Sequence, residues 1–171
     1  DKGFIPEGLL NYLALLGWAI SADRDIFTLD EFIAAFDVAN VNPNPARFDQ
    51  KKAESINGDH VRMLDAADFA SRIEPYLTAA GVIGETPTDA ERELIVAAAP
   101  LIQERIGLLG EAPGMLGFLF LGDADVEYEE DALKSLPANA GEVLAASLGA
   151  LELVPVSEFT TDAAQTALAA A

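Results

Sequence analysis

Residues 88–102 read TDAERELIVAAAPLI and carry the clearest structural signal in this chain of 171 residues. Thr88 and Glu91 have the spacing of a capping box, in which each side chain bonds to the backbone N–H of the other residue at a helix start. Pro100 is expected to bend this helix or to split it, because proline cannot donate a backbone hydrogen bond. Apolar residues recur at helical spacing after the box, and the face predicted to be buried consists of Leu94, Ile95, Ala98, Leu101 and Ile102.

A second capping box stands upstream, at Thr28 and Glu31. Phe27 and Phe32 flank it at the positions of a hydrophobic staple, the apolar contact that fixes how a chain enters a helix. The spacing therefore predicts another helix that begins after Thr28. The residues expected to be buried on it are Phe32, Ile33 and Phe36.

An N-terminal helix is predicted from Pro6, because a first helical turn does not need the N–H that proline lacks. Gly17 is expected to end this helix in a left-handed conformation. Its buried stripe is predicted at Leu9, Leu10, Leu13 and Leu16.

Helical spacing continues through most of the remaining chain. Asp49 is expected to cap a helix that ends at a turn formed by Asn57 and Gly58, and a short helix over 59–64 follows. Further helices are predicted over 65–80, with a kink at Pro75, and over 137–150 and 160–171. No stretch alternates apolar and polar residues over the length of a strand. The predicted fold class is therefore all-α.

The chain is strongly acidic: 10 basic side chains stand against 29 acidic ones, a formal net charge of −19. Phosphate contacts need Lys and Arg, so most of this surface is unsuited to nucleic acid. The segment 47–62 is the exception, with four basic residues against three acidic ones. After Arg105 only Lys134 is basic, against eleven acids. A polyanion is therefore expected to bind at 47–62 and at Arg105.

The composition excludes several classes of site. There is no cysteine and one histidine, His60, which rules out thiolate metal sites, iron–sulfur clusters and paired imidazoles. The acidic run 123–131 lacks the glycine and the final glutamate of a calcium-binding loop. No phosphate-binding loop and no nucleophile–base pair is visible. We therefore predict no catalytic residue, no metal site and no cofactor for this sequence by itself.

No apolar run approaches the roughly 20 residues that span a bilayer, and the first residues show no signal peptide. We therefore expect a cytoplasmic chain without a membrane partner.

Three segments carry a more specific pattern. Residues 3–18 read GFIPEGLLNYLALLGW, residues 26–36 read IFTLDEFIAAF, and residues 48–62 read FDQKKAESINGDHVR. In the same order, they closely resemble the G-[FY]-L-P-E-A-L-x-N-Y-L-x-x-L-G-W stretch, the helix that follows it, and the F-D-x-x-K-L-x-W-x-N-x-x-Y-I-R stretch of glutamyl-tRNA synthetases. The resemblance continues more weakly through 103–106 and 118–120.

The third segment departs from the family pattern at three positions. Ala53, Ser55 and His60 stand where the family has leucine, tryptophan and tyrosine. Packing around this segment is therefore expected to differ from that of the family.

The resemblance implies a helical piece of such an enzyme that follows its catalytic domain. It implies a stem-contact-like region over 1–64, a first anticodon-binding helical subdomain over 65–121 and part of a second over 122–171. The implied function is tRNA recognition for an enzyme that attaches glutamate to its tRNA. ATP, Mg and glutamate would be handled by the catalytic domain, so this chain alone is not expected to be catalytic. The implied partner is glutamate tRNA, with glutamine tRNA left open, and the implied parent enzyme is a monomer.

The residues predicted to bind tRNA are Arg47, Lys51, Lys52, Asn57, Arg62 and Arg105. Lys51 and Lys52 at the start of one helix and Arg62 in the next could reach phosphates of one RNA backbone. By resemblance, Arg105 would contact an anticodon base, a role that suits the planar guanidinium.

Three alternatives stay open at this point. Lys51 and Lys52 could instead pair with Asp49 and Glu54, and Arg105 could pair with Glu104 or Glu111. The whole chain could also be an acidic α-helical module whose exposed apolar faces bind another protein.

Overall fold

The computed structural model describes residues 2–44 and 46–171, and the side chain of Asp123 is outside the description. Within these ranges the regular structure is helical and contains no strand. An isolated β-bridge joins Ser21 and Arg24. The all-α prediction is therefore confirmed.

The chain divides after Asp125 into two compact units. The α-helices of the first unit are α1 (Pro6–Leu15), α2 (Leu29–Ala35), α3 (Gln50–Met63), α4 (Ala66–Ala79), α5 (Asp89–Gln103) and α6 (Ala112–Leu116). Those of the second unit are α7 (Glu130–Ser135), α8 (Ala140–Glu152) and α9 (Thr161–Ala170). The division into regions at residues 64 and 121 stays a prediction.

Both predicted capping boxes are confirmed. At the start of α5, the Glu91 N–H donates to Thr88 Oγ1 at 3.2 Å and the Thr88 N–H donates to Glu91 Oε2 at 2.7 Å. At the start of α2, Thr28 and Glu31 make the same two bonds. The rings of Phe27 and Phe32 stack with centroids 6.0 Å apart, as the staple requires.

The predicted break at Asn57 and Gly58 is wrong, because α3 runs unbroken from Gln50 to Met63. The Asn57 side chain bonds to distant backbone groups and does not compete for its own helix. The missing Cβ of Gly58 leaves room for the Cα of Gly107, which lies 3.3 Å from that position. Tertiary contacts thus override the local turn signal. Helix α5 likewise continues through Pro100.

The core of the first unit lies among α4, α5 and α6. Its largest buried side chains include Phe69, Ile73, Leu77, Ile95, Ile106 and Leu116. A smaller cluster joins α1 to α3 through Tyr12, Ala53 and Ile56. Burial of Ile95, Ala98 and Ile102 on α5 is as predicted, whereas Leu101 is 66% exposed.

Helix α1 does not bury the predicted leucine stripe: Leu9, Leu10 and Leu13 are exposed. It packs on α3 through the face that carries Gly8, Asn11 and Tyr12. A Cβ on Gly8 would lie 2.8 Å from the Cα of Asn57, so this close approach needs a glycine.

Two further expectations near α1 and α2 are wrong. Gly17 does not adopt a left-handed conformation. Helix α1 ends at Leu15, and its C-cap residue is Leu16, which has a right-handed conformation. Helix α2 buries none of its residues, and Ile33 is 67% exposed. Phe32 and Phe36 instead form a partly exposed aromatic cluster with Trp18, at centroid distances of 5.3 and 5.8 Å.

Among the described residues, no helix is both long enough and apolar enough to cross a membrane.

Candidate nucleic-acid interface

Helix α3 positions most of the predicted RNA-binding residues. Arg47 and Lys51 lie at its N-terminal end and Arg62 lies in its last turn, so Arg62 does not belong to a separate helix as predicted. With a rise of 1.5 Å per residue, these two ends are about 20 Å apart. One rigid element therefore carries cations at two separate places.

Arg47 and Lys51 are exposed, and neither side chain makes a hydrogen bond or ion pair with any described residue. The predicted alternative of local pairing with Asp49 and Glu54 is not found for Lys51. Asp49 instead caps α3 by accepting from the Lys52 N–H at 3.1 Å, and Glu54 accepts from the Gln50 side chain at 2.7 Å. Both cations are thus available to an external anion.

Lys52 and Arg62 are partly neutralised. Lys52 Nζ lies 2.9 Å from Asp25 Oδ2, in the segment between α1 and α2. An Arg62 guanidinium nitrogen lies 2.5 Å from Asp59 Oδ1, one turn earlier on α3. The Arg62 side chain remains about one third exposed, at 34%. Exposed ion pairs of this kind are weak, so a phosphate could compete for either cation.

Asn57 does not belong to the interface. Its side chain is fully buried, and Oδ1 accepts from the Ile5 N–H at 2.8 Å while Nδ2 donates to the Gly107 carbonyl at 2.6 Å. The amide therefore has no surface for RNA, and the prediction of Asn57 as a binding residue is wrong. Its role is to join the N-terminal segment, α3 and the loop after α5.

Glycines make this junction tight. Gly3 has a φ of +96°, and a Cβ there would lie 2.3 Å from the backbone nitrogen of Gly110. The Leu109 N–H donates to the Gly3 carbonyl at 3.0 Å. A Cβ on Gly107 would lie 3.5 Å from the Glu54 carbonyl. The loop after α5 is therefore held against both α3 and the N-terminal segment.

Arg105 lies in the turn that follows α5 and is exposed. It makes no side-chain hydrogen bond or ion pair within the described ranges. The alternative pairing with Glu111 is not found, because Glu111 Oε2 accepts from the Gly107 N–H at 2.9 Å and holds the loop. The turn that carries Arg105 is thus held by hydrogen bonds, and the guanidinium has no partner in the described part of the chain.

The turn that carries Arg105 reaches α3 beside Arg62. The Gly107 Cα and an Arg62 guanidinium nitrogen lie 3.3 and 3.4 Å from the same point, the Cβ position of Gly58. Gly107, two residues after Arg105 in the chain, therefore lies close to the Arg62 side chain. The junction around Asn57 creates that proximity.

Sequence reasoning missed two residues near these cations. Lys2 is exposed, without an ion-pair partner among the described residues, and its carbonyl packs on Gly110 in the loop after Arg105. Phe48 is 53% exposed between Arg47 and Lys51. The position of Phe48 inside the basic segment could have identified it, whereas nothing in the sequence indicates that Lys2 packs on the loop that follows Arg105.

Most other cations of the first unit are engaged. Arg72 donates to both carboxylate oxygens of Glu7 at 3.0 Å and also binds Asp68. This double pairing raises the pKa of Arg72 and lowers the pKa of Glu7, mainly through the hydrogen bonds between them. Within residues 2–44 and 46–171, apart from the Asp123 side chain, no group of acidic or histidine side chains could hold a metal ion.

Comparison with models of protein families gives a match that covers more than half of the chain. The model of the anticodon binding domain family matches residues 68–171, which include Arg105 and exclude α3.

Similar proteins extend the comparison over almost the whole chain. The glutamate–tRNA ligase of Leifsonia xyli subsp. xyli is 65% identical over 168 residues, which are 98% of this chain and 34% of the ligase. That of Kocuria rhizophila is 60% identical over 98% of this chain and 33% of the ligase. The chain thus spans about a third of the length of these curated relatives.

Solved structures of low sequence identity share the fold. A glutamate tRNA ligase from Elizabethkingia meningosepticum CCUG26117 superposes with a TM-score of 0.73 at 22% identity, over 96% of this chain and 31% of that one. The Elizabethkingia anophelis glutamate-tRNA synthetase gives 0.71 at 22% identity. Because the family model covers more than half of the sequence, we conclude that the chain belongs to the anticodon binding domain family.

Proposed function

We propose that this chain is the tRNA-recognition part of a glutamate–tRNA ligase, an enzyme that attaches glutamate to its tRNA. The observation that carries the proposal is that the side chains of Arg47, Lys51 and Arg105 have no partner among the described residues, in a protein with a net charge of −19. Five of the nine cations of the first unit have carboxylate partners within the described ranges, and those without a partner are available to an external anion. The identity of the relatives supports tRNA as that anion.

We assign different contacts to the two ends of the interface. Arg47 and Lys51 would bind phosphates, with Lys52 and Arg62 joining them when their weak ion pairs exchange. Phosphate contacts position an RNA without reading its sequence. Arg105 would read an unpaired anticodon base, because a guanidinium offers a planar fork of donors.

The chemical step is proposed to lie outside this chain. ATP, Mg²⁺ and glutamate would bind in the two thirds of the relatives that this sequence does not match. We also propose that the enzyme is monomeric and lies in the cytoplasm. Glutamine tRNA is a candidate second substrate.

The test is equilibrium binding of the purified chain to glutamate tRNA and to a tRNA with an unrelated anticodon. With about three to five usable cations, log K should fall with log salt at a slope of about −3 to −4. Glutamate tRNA should bind more tightly at every salt concentration. Absence of binding, or tight binding that does not respond to salt, would contradict the proposal.

A protein-binding role is the second candidate. Its support is the second unit, where helices α7, α8 and α9 bury none of their residues. On α8 alone, Val143, Leu144 and Leu148 are exposed. Salt-independent association of the chain with a protein, together with no tRNA binding, would favour this role.

A further inference from the structure

Phe48 occupies an unusual place at the N-terminal end of α3. Five consecutive residues line an open groove of about 480 Å³, which is large enough for a small organic ligand. They are Arg47, Phe48, Asp49, Gln50 and Lys51. Phe48 thus lines the same groove as Arg47 and Lys51, two cations whose side chains have no partner among the described residues.

The ring is held in place although it is exposed. Phe48 meets the buried Tyr12 edge to face, with centroids 5.0 Å apart and planes at 83°. The Tyr12 hydroxyl accepts from the next backbone N–H, that of Asp49, at 2.5 Å. Asp49 in turn caps α3. The groove is therefore built on a fixed backbone and a fixed aromatic neighbour.

The exposure of Phe48 alone does not indicate a binding site, since single exposed apolar residues are common on protein surfaces. Phe118 shows the ordinary case: it is 62% exposed, and no residue within three positions of it is charged. Phe48 differs because two cations, Arg47 and Lys51, line the same groove. Aromatic faces next to cations are the combination that binds single-stranded nucleic acid, in which bases stack on rings while cations contact phosphates.

We propose that Phe48 is a stacking platform for an unpaired base of the bound RNA, with Arg47 and Lys51 on the phosphates that flank it. In an RNA duplex the base faces are covered by their neighbours, so the ligand of this groove is an unpaired or bulged nucleotide. This inference deepens the proposed function and rests on RNA as the partner.

The experiment uses two probes: a single-stranded RNA of about eight nucleotides that contains a fluorescent adenine analogue, and a blunt RNA duplex of about 16 base pairs. Stacking on Phe48 should quench the analogue when the unchanged protein binds. Phe48→Leu should weaken binding of the single strand about tenfold and leave the duplex unchanged. Phe48→Tyr keeps the ring and should bind normally, and Phe118→Leu is the matched control.

Each outcome separates this inference from the proposed function. Salt-dependent RNA binding without quenching, or equal losses for both probes with Phe48→Leu, would overturn the stacking role alone. Failure of the unchanged protein to bind RNA would overturn both. Because quenching is read on the unchanged protein, the inference remains testable even if Phe48→Leu does not fold.

Discussion

At Arg105, an effect of a mutation on anticodon recognition can be separated from an effect on the stability of the fold. It is exposed and unpaired within the described ranges, so Arg105→Gln should change the free energy of unfolding by no more than about 0.5 kcal/mol. If it reads an anticodon base, the same change in a full-length ligase should lower discrimination between two anticodon variants. By analogy with arginine readout of guanine, the loss should be about 1–3 kcal/mol.

The measurement is kcat/KM for both tRNA variants. Arg92→Gln is the control, because Arg92 lies on α5, the helix that precedes Arg105, and pairs with Glu74 at 3.4 Å. Equal losses for the two tRNAs with Arg105→Gln would remove Arg105 from base reading.

Asn57, in contrast to Arg105, stabilises the fold and has no exposed surface with which to contact RNA. Asn57→Ala would leave the buried Ile5 N–H and the half-buried Gly107 carbonyl without their partner. Each unsatisfied group costs about 1–3 kcal/mol, so we expect a loss of about 3 kcal/mol in the free energy of unfolding. Urea denaturation measures it, with the exposed Gln50→Ala on the same helix as control. A loss no larger than that of Gln50→Ala would contradict the structural role.

His60 sets the response of stability to mild acid. Its Nε2 lies 2.8 Å from Asn11 Oδ1, and because that oxygen also accepts from the Phe27 N–H, Nε2 carries the proton. Burial lowers the pKa of His60 below the 6.5 of a free histidine. As the pH decreases, the imidazole therefore takes up its second proton, which charges the ring, more readily in the unfolded chain than in the folded one. The free energy of unfolding should therefore fall as the pH decreases below about 6.5.

The lowered pKa of Glu7 acts in a different window, below about 4.5. Stability from that carboxylate is present above 4.5 and is lost as the pH falls further. His60→Gln keeps an N–H donor and removes the titration, so its stability should be nearly constant between about pH 6.5 and 5. Unfolding midpoints measured at several pH values check this, and equal slopes for both proteins would contradict it.

At the scale of helices, the two capping boxes allow a matched comparison. Thr88→Ala should lower the free energy of unfolding by about 1 kcal/mol, because α5 contributes to the core and must form with it. Thr28→Ala removes the same bonds from α2, which buries no residue. Its effect should be fraying of α2, seen in faster amide exchange, with a smaller change in global stability. An unchanged midpoint for Thr88→Ala would contradict the role of the box.

Helix starts could be read from the sequence because capping is local chemistry. Thr28, Thr88 and Asp49 cap helices through bonds to residues three positions away. Burial could not be read in the same way. Periodicity places Leu9 and Leu13 on one face of α1 but does not say whether another element covers that face. The close contact through Gly8 decided the packing instead.

The candidate site shows the same limit. The basic segment identified Arg47 and Lys51 because a sequence reports its charges directly. It did not distinguish them from Lys52, whose partner Asp25 lies on another part of the chain. Nor did it reveal that Asn57 is buried, since its partners are 52 and 50 residues away. Contacts of that range depend on the tertiary fold.

At the scale of the whole molecule, the proposed RNA interface depends on a few cations without partners among the described residues, in a protein of net charge −19. The acidic field opposes RNA, so binding must come from specific places and not from overall charge. Whether binding comes from specific cations can be tested by neutralising two different pairs of cations, each with a formal charge of +2. Arg47 and Lys51 are unpaired among the described residues, whereas Arg24 pairs with Glu31 and Arg92 pairs with Glu74.

The most direct measurement is the salt dependence of tRNA binding by the two double variants, Arg47→Gln with Lys51→Gln and Arg24→Gln with Arg92→Gln. Both variants change the net charge equally. The first should make the slope of log K against log salt shallower by about 1.5, because each lost phosphate contact removes about 0.7 to 0.9. The second should leave the slope unchanged. Equal effects of the two variants, or an unchanged slope with the first, would contradict an RNA interface at α3.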